Sequence, residues 1–169
     1  MPKAISRNKT ARGNSAQFFV AGELCRRGHS AVVTLGNTPN TDILCSNEEG
    51  TRFVHVQVKT YVPGNRTVTV GIKAEKDFGK NFIWVLAGIP AADSNQPFEY
   101  YIVPSALVAE NVAESHRLWL ADAERLQKSR KDSPVRVIHI PPSTSYNGWS
   151  IDAFKNRWDL IDELLANPV

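Results

Sequence analysis

Cysteine is scarce in these 169 residues, with Cys25 and Cys45 the only two. Neither belongs to a CxxC pair, and two lone cysteines make no disulfide framework, which excludes a zinc ribbon and a disulfide-stapled secreted scaffold. The expected compartment is therefore the reducing cytoplasm. Long apolar runs are missing too. Nothing approaches the length that spans a bilayer, and the N-terminus lacks the apolar region of a secretory signal. GNTPN (36–40) has one glycine and is no phosphate-binding loop. Ser15, Ser46 and Ser105 lack a nucleophile elbow, and His29, His116 and His139 lack zinc-ligand spacing. There is no internal repeat and no linker long enough to separate two domains. A large excess of charge of one sign is missing as well: 20 Lys and Arg against 17 Asp and Glu give a net charge of +3 and a pI of about 8.9, which permits a polyanionic partner without requiring one.

What is present suits an ordinary globular chain, 42% hydrophobic and 22% charged. The length fits one domain with a helical extension. The basic charge is concentrated at the start. Residues 1–12 carry Lys3, Arg7, Lys9 and Arg12 with no acid, and Arg26, Arg27 and His29 follow. One reading of this arm is a solvated terminus. The other is a phosphate-contacting patch in which Arg7, Lys9 and Arg12 touch nucleic acid.

A helix is expected over 14–28, capped by Asn14 or Ser15 and stopped by Gly28. Short strands are expected at 31–35 and 42–45, with the turn GNTPN between them. The clearest strand is 53–60, where Val54, Val56 and Val58 alternate with His55, Gln57 and Lys59. Side chains of a strand point alternately to its two faces, so the valines face the core and the three polar residues share the other face. Further expectations are a short strand at 67–72, a short helix at 75–80 and two apolar strands at 82–87 and 98–103. Helical structure should follow from 105 to about 131, then a strand at 135–140. A last helix capped by Ser150 would carry the stripe Phe154, Trp158, Ile161 and Leu165. The implied domain plan is an N-terminal arm (1–13), a core (14–104), and C-terminal helices with one strand packed on that core (105–169). This is a mixed α/β layer protein.

The candidate chemistry lies on the second and third strands. Asp42 stands at the mouth of a strand, and taken alone it reads equally as the residue that finishes a turn. Gln57 and Lys59 sit at i and i+2 on one strand face, which taken alone is an ordinary polar face. Only a short hairpin separates the two strands, so all three residues can converge. A carboxylate, an amide oxygen and the Val58 carbonyl are hard oxygen donors suited to Mg²⁺ (or Mn²⁺). Such an ion acidifies a bound water and neutralises phosphate charge, and Lys59 can stabilise charge developing in the transition state. His55, two residues along the same face, is a candidate substrate contact. Base stacking by Trp119, Trp149 or Trp158 stands beside the simpler reading that they pack the C-terminal helices.

The pattern TDILC…VHVQVKT resembles the PD-(D/E)XK nuclease superfamily, in which an acid on one strand is followed by (D/E)xK on the next. It looks most like the branch with Gln in place of the second acid, as in Mrr-type restriction enzymes. Over residues 17–60, FVAGELCRRGH…TLGNTPNTDIL…VQVKT is similar to small bacterial proteins related to Holliday-junction resolvases. The resemblance implies a restriction-endonuclease-like αβββαβ core with a mixed central sheet flanked by helices. It puts Asp42, Gln57 and Lys59 on metal-binding and catalytic positions, and it implies DNA as partner, with a homodimer where both strands are cut. Gln57 departs from the pattern by removing a carboxylate. The family's usual helix Glu is matched by Glu23, the only acid on helix 14–28, although the usual register falls on Gln17.

The expected function is a metal-dependent DNA endonuclease, restriction-type or structure-selective. The alternatives are a catalytically inactive nucleic-acid-binding or regulatory module on the same fold, and a protein-interaction subunit using the aromatic-rich C-terminal region.

Overall fold

Alternation of buried and exposed positions along the strands decides how the layers stack. The computed structural model describes residues 9–36 and 38–166. Arg7 and the side chain of Lys9 lie outside the described residues. Helix α1 (Lys9–Arg26) leads into β1 (Ser30–Val33), β2 (Ile43–Ser46) and β3 (Phe53–Tyr61). Then come β4 (Thr67–Thr69), a 3₁₀ turn at Ile72–Glu75, β5 (Phe82–Gly88) and β6 (Glu99–Pro104). Helix α2 (Ser105–Arg125), β7 (Val137–His139), a second 3₁₀ turn (Asp152–Phe154) and α3 (Asp159–Leu165) complete the chain.

The central sheet has the order β1-β2-β3-β5-β6. It is mixed, because β3 and β5 run parallel while the other neighbours are antiparallel. Every residue of β5 is buried, as expected of a strand covered on both faces. Ile83 and Val85 join Val54, Val56, Ile43 and Ile102 in a core under α1 and α3. Trp84 and Leu86 face the opposite core with Val103, Val108 and Ile138, under α2 and the small β4–β7 sheet. On that second side α2 contacts β5, β6 and the 3₁₀ turn at 72–75. The β1–β3 part of this face remains open. Val32, Phe53 and His55 are exposed there, and Gln57 and Lys59 are half-buried.

Several elements differ from expectation for physical reasons. Helix α1 begins at Lys9, so Asn14 and Ser15 do not cap it, and residues 9–13 of the expected arm are helical. The Ser15 hydroxyl donates to the Arg12 carbonyl at 2.8 Å, which satisfies it inside the helix. The buried stripe Ala16, Val20 and Leu24 runs at i, i+4 and i+8. No α-helix separates β3 from β5. The span expected as a short helix is a 3₁₀ turn shifted to 72–75, with left-handed Gly71 (φ 83°) at its start and Gly79 (φ 99°) beyond it. Helix α2 stops at Arg125, and left-handed Gln127 (φ 50°) follows its end. The expected last helix is divided: Asn156 (φ 54°) separates the turn at 152–154 from α3. Phe154 therefore packs in the second core, while Trp158, Ile161 and Leu165 pack in the first. Among the described residues, no helix is long and apolar enough to cross a membrane.

Candidate active site on the open face of the sheet

The turn before β2 delivers Asp42 to its place. Asn40 adopts the left-handed region (φ 57°), which asparagine tolerates better than most residues. Thr41 is buried just beyond it. Asp42 is then pinned by its backbone between two strands. Its N–H donates to the Val56 carbonyl at 2.9 Å, and its carbonyl accepts from the Thr34 N–H at 2.9 Å. The Thr34 hydroxyl donates to the Thr41 carbonyl at 2.6 Å and ties the turn to the end of β1.

This anchoring aims the carboxylate across the end of β2 at β3. Oδ2 of Asp42 accepts the Val58 backbone N–H at 2.7 Å and a short hydrogen bond from Nε2 of Gln57. The carboxylate thus takes the place of the next backbone acceptor, where β2 has already ended. In a strand, N–H and C=O of one residue project from the same edge, so the Val58 carbonyl leaves β3 on the Asp42 side. Lys59 is near enough for its charge to favour the ionised form of Asp42.

Burial nevertheless dominates the carboxyl group. Desolvation raises the pKa of Asp42 above the usual aspartate value, and the Val58 hydrogen bond and the Lys59 charge only partly offset it. Among the described ion pairs, none includes Asp42. A half-buried carboxylate without a contacting cation costs stability and attracts one. The available donors are one carboxylate, the Gln57 carboxamide, whose oxygen faces Asp42 after a half-turn of the amide, and the Val58 carbonyl. That set fits a hydrated hard divalent ion, which needs only one or two carboxylates. No group of three His, Cys, Asp or Glu residues is arranged to hold a metal among the described residues.

The raised pKa fixes the sign of a stability effect. A carboxyl whose folded-state pKa lies above its unfolded value binds its proton more tightly in the folded chain. It lowers stability as pH rises from the ordinary aspartate range through the raised folded value, and the loss is complete above that. Asp42→Asn removes this penalty and keeps an oxygen for the Val58 N–H. In EDTA, the thermal midpoint of the variant minus that of wild type should be near zero at about pH 3 and grow more positive toward about pH 8. A difference that falls over this range would contradict the desolvated carboxylate.

Glu23 is not gathered here, and the expectation that it joins the site is corrected. It lies one turn from the C-terminal end of α1, which runs directly into the start of β1, whereas Asp42 stands beyond the far end of β1. Its carboxylate accepts from Arg26 Nε at 2.7 Å and from Arg27 Nε at 3.0 Å. Those bonds hold its pKa below the usual glutamate value, the Arg26 hydrogen bond contributing most. Arg27 continues to Asp162 at 3.1 Å, so Glu23 belongs to a polar tie between α1 and α3. Arg12 is half-buried on the second turn of α1. His55 is exposed beside Gln57, and its Nδ1 lies 3.1 Å from the Thr41 hydroxyl. Thr41 and Thr34 were not singled out from the sequence. The turn NTPNT signals a loop, and no local pattern shows that two of its neighbours brace Asp42 and His55.

No family model and none of the curated proteins matches the chain. Solved structures do. The bacterial homing endonuclease I-Ssp6803I aligns at 15% identity with a TM-score of 0.52, covering 92% of this chain and 93% of that one. The Holliday junction resolvase Hjc of the archaeal hyperthermophile Archaeoglobus fulgidus aligns at 14% identity with a TM-score of 0.43, covering 75% and 83%. The likeness to the homing endonuclease gives the fold: a mixed α/β architecture of the restriction-endonuclease-like kind.

Proposed function

We propose that this chain is a divalent-metal-dependent DNA endonuclease of the Gln-bearing, Mrr-like branch of the PD-(D/E)XK superfamily. The observation that carries the reading is the meeting of Asp42 with Gln57 and the Val58 N–H at the end of β2, on the open face of the sheet. Its support from comparison is the fold shared with a homing endonuclease. Asp42, Gln57 and Val58 would hold Mg²⁺ or Mn²⁺, which supplies Lewis acidity and an acidified water. Asp42 contributes the anionic donor, kept rigid by its bonds to β3 and to Thr34 at the end of β1. Lys59 places an ammonium beside the phosphate and stabilises the charge that develops there. Arg7, Lys9, Arg12 and His55 are the proposed contacts to the DNA backbone, and a homodimer would serve cleavage of both strands. The test is hydrolysis of plasmid and branched DNA with Mg²⁺ or Mn²⁺, comparing wild type with Asp42→Ala and Lys59→Ala. Equal cleavage by all three would remove the reading.

A second reading has its own support. A single carboxylate, with no acid arriving from α1, also suits a nucleic-acid-binding module without catalysis. Gln57→Glu separates the two. A second carboxylate doubles the anionic donors, so a nuclease should reach half-maximal cleavage at a metal concentration at least roughly tenfold lower, the ratio given by about 1.4 kcal/mol. A binding module should show no cleavage with either residue, and binding that persists in EDTA and falls steeply with salt.

A further inference from the structure

We propose that the cavity between α2 and β7 receives an unpaired base of a nucleic acid strand, with Lys128 and Lys131 holding the flanking phosphates. The cavity encloses about 250 Å³ and is apolar over most of its wall. Val112 and Val137 line it together with the rings of Trp119, Tyr146 and His116. It is smaller than the roughly 300 Å³ at which pockets for drug-sized ligands begin, and so suits a single ring system. The site lies outside the Asp42 cluster and shares no residue with it.

Three observations point to a base as occupant. The first is that the walls already hold flat groups in stacked order. His116 stacks on Trp119 with centroids 5.4 Å apart and planes 25° apart. The Arg130 guanidinium lies 4.8 Å from the Trp119 ring centre and 5.8 Å from that of Tyr146. The guanidinium shows that both rings accept a flat group on their faces, the kind of contact a base makes when it stacks. The second is polar incompleteness. Nδ1 of His139, on the cavity wall, is one of two buried side-chain nitrogens without a hydrogen-bond partner among the described residues. The polar edge of a base reaching that wall gives it one. The third is charge. Segment 125–136 carries five basic residues, of which Arg125 and Arg130 pair with Asp122 and Arg136 with Glu75 and Asp132, leaving Lys128 and Lys131 for phosphates. Lys128 and Lys131 are exposed, and no described ion pair uses either. Aromatic slots beside a basic track are the physical elements of single-strand binding.

This inference narrows the substrate class of the proposed nuclease to DNA with unpaired nucleotides, and it rests on that reading only for the identity of the polymer. Its test is binding in EDTA, where no cleavage intervenes. The probes are a fluorescein-labelled oligo-dT single strand and a duplex of equal length, read by anisotropy with the full chain. Trp119→Ala should weaken single-strand binding by roughly 5- to 150-fold, the range measured for loss of one stacked base, and leave duplex binding within about twofold. Trp119→Phe should restore most of the loss. The double variant Lys128→Ala/Lys131→Ala alters only exposed side chains. It should lower the slope of log K against log salt by about 1.4 for the single strand, roughly 0.7 per phosphate contact. An unaltered slope, equal losses on both probes, or no effect of Trp119→Ala would overturn the proposal. Because binding is measured in EDTA, failure of cleavage is read separately from failure of this site.

Discussion

Asp42→Asn is expected to lower metal-dependent DNA cleavage by roughly 10²–10³-fold, the scale of losing one preorganised electrostatic contact at a reacting centre. The substitution changes one oxygen to a nitrogen and leaves an acceptor for the Val58 N–H, so the backbone ties to Thr34 and Val56 should survive. What disappears is the only carboxylate at the site. Lys59→Ala should be milder on metal affinity and comparable on rate, because it removes a charge near the phosphate and no donor. The measurement is the initial rate of plasmid nicking over a Mg²⁺ titration, with DNA affinity in EDTA measured in parallel. The expected split is cleavage lost and binding kept. Together with the pH trend expected for the same variant, it gives Asp42→Asn two effects of opposite sign: higher stability near neutral pH and lower activity. A residue that served only to finish a turn would show neither.

The legible part of this molecule is the part governed by short-range alternation. Val54, Val56 and Val58 against His55, Gln57 and Lys59 give the faces of β3 directly, and the apolar run Phe82–Gly88 gives the buried strand beside it. The pairing of β2 with β3 follows from the short connection between Ser46 and Phe53. The illegible part depends on partners far apart in sequence. Strands β4 and β7 are three residues each and pair with Thr67 opposite His139, about seventy positions apart in sequence. Nothing local in either segment names the other. The start of α1 was hidden for a different reason. Asn14 and Ser15 are good N-caps, but Ser15 bonds back to Arg12 and the helix continues through them.

The site divides in the same way. Asp42 and Gln57 were legible because a hairpin separates them by fifteen positions and strand geometry orients the second. The fate of Glu23 was not, because three outcomes compete for an acid near a helix end. Pairing with Arg26 and Arg27 at i+3 and i+4 is local and immediate. Reaching a site at the far end of β1 would require a different helical register. The tie to Asp162 through Arg27 comes from α3, remote in sequence, and could not be read beforehand.

The other large effect concerns Arg136, whose side chain is only 4% exposed. Its Nε donates to Glu75 in a short ion pair. Its Nη1 donates to the carbonyls of Ser133 and Val135 and reaches Asp132 Oδ1 at 3.4 Å. One guanidinium thus ties the 3₁₀ turn at 72–75 to the segment entering β7, where its own backbone carbonyl accepts from the Val70 N–H at 2.9 Å. Replacing it by Ala strips the half-buried Glu75 of its cation and removes the donor to two carbonyls. Breaking a buried pair from one side costs about 3–5 kcal/mol, which for a domain of this size lowers the thermal midpoint on the order of 10 °C. Glu75→Gln should cost distinctly less, since the amide oxygen still accepts from Nε and Asp132 remains near the guanidinium. Urea unfolding supplies the free energies, and hydrogen exchange at the Val68 and Ile138 amides shows where the loss falls. If Arg136→Ala costs under about 1 kcal/mol, the small sheet is held by its apolar contacts, Val68 and Ile138 against α2, and the guanidinium is incidental to it.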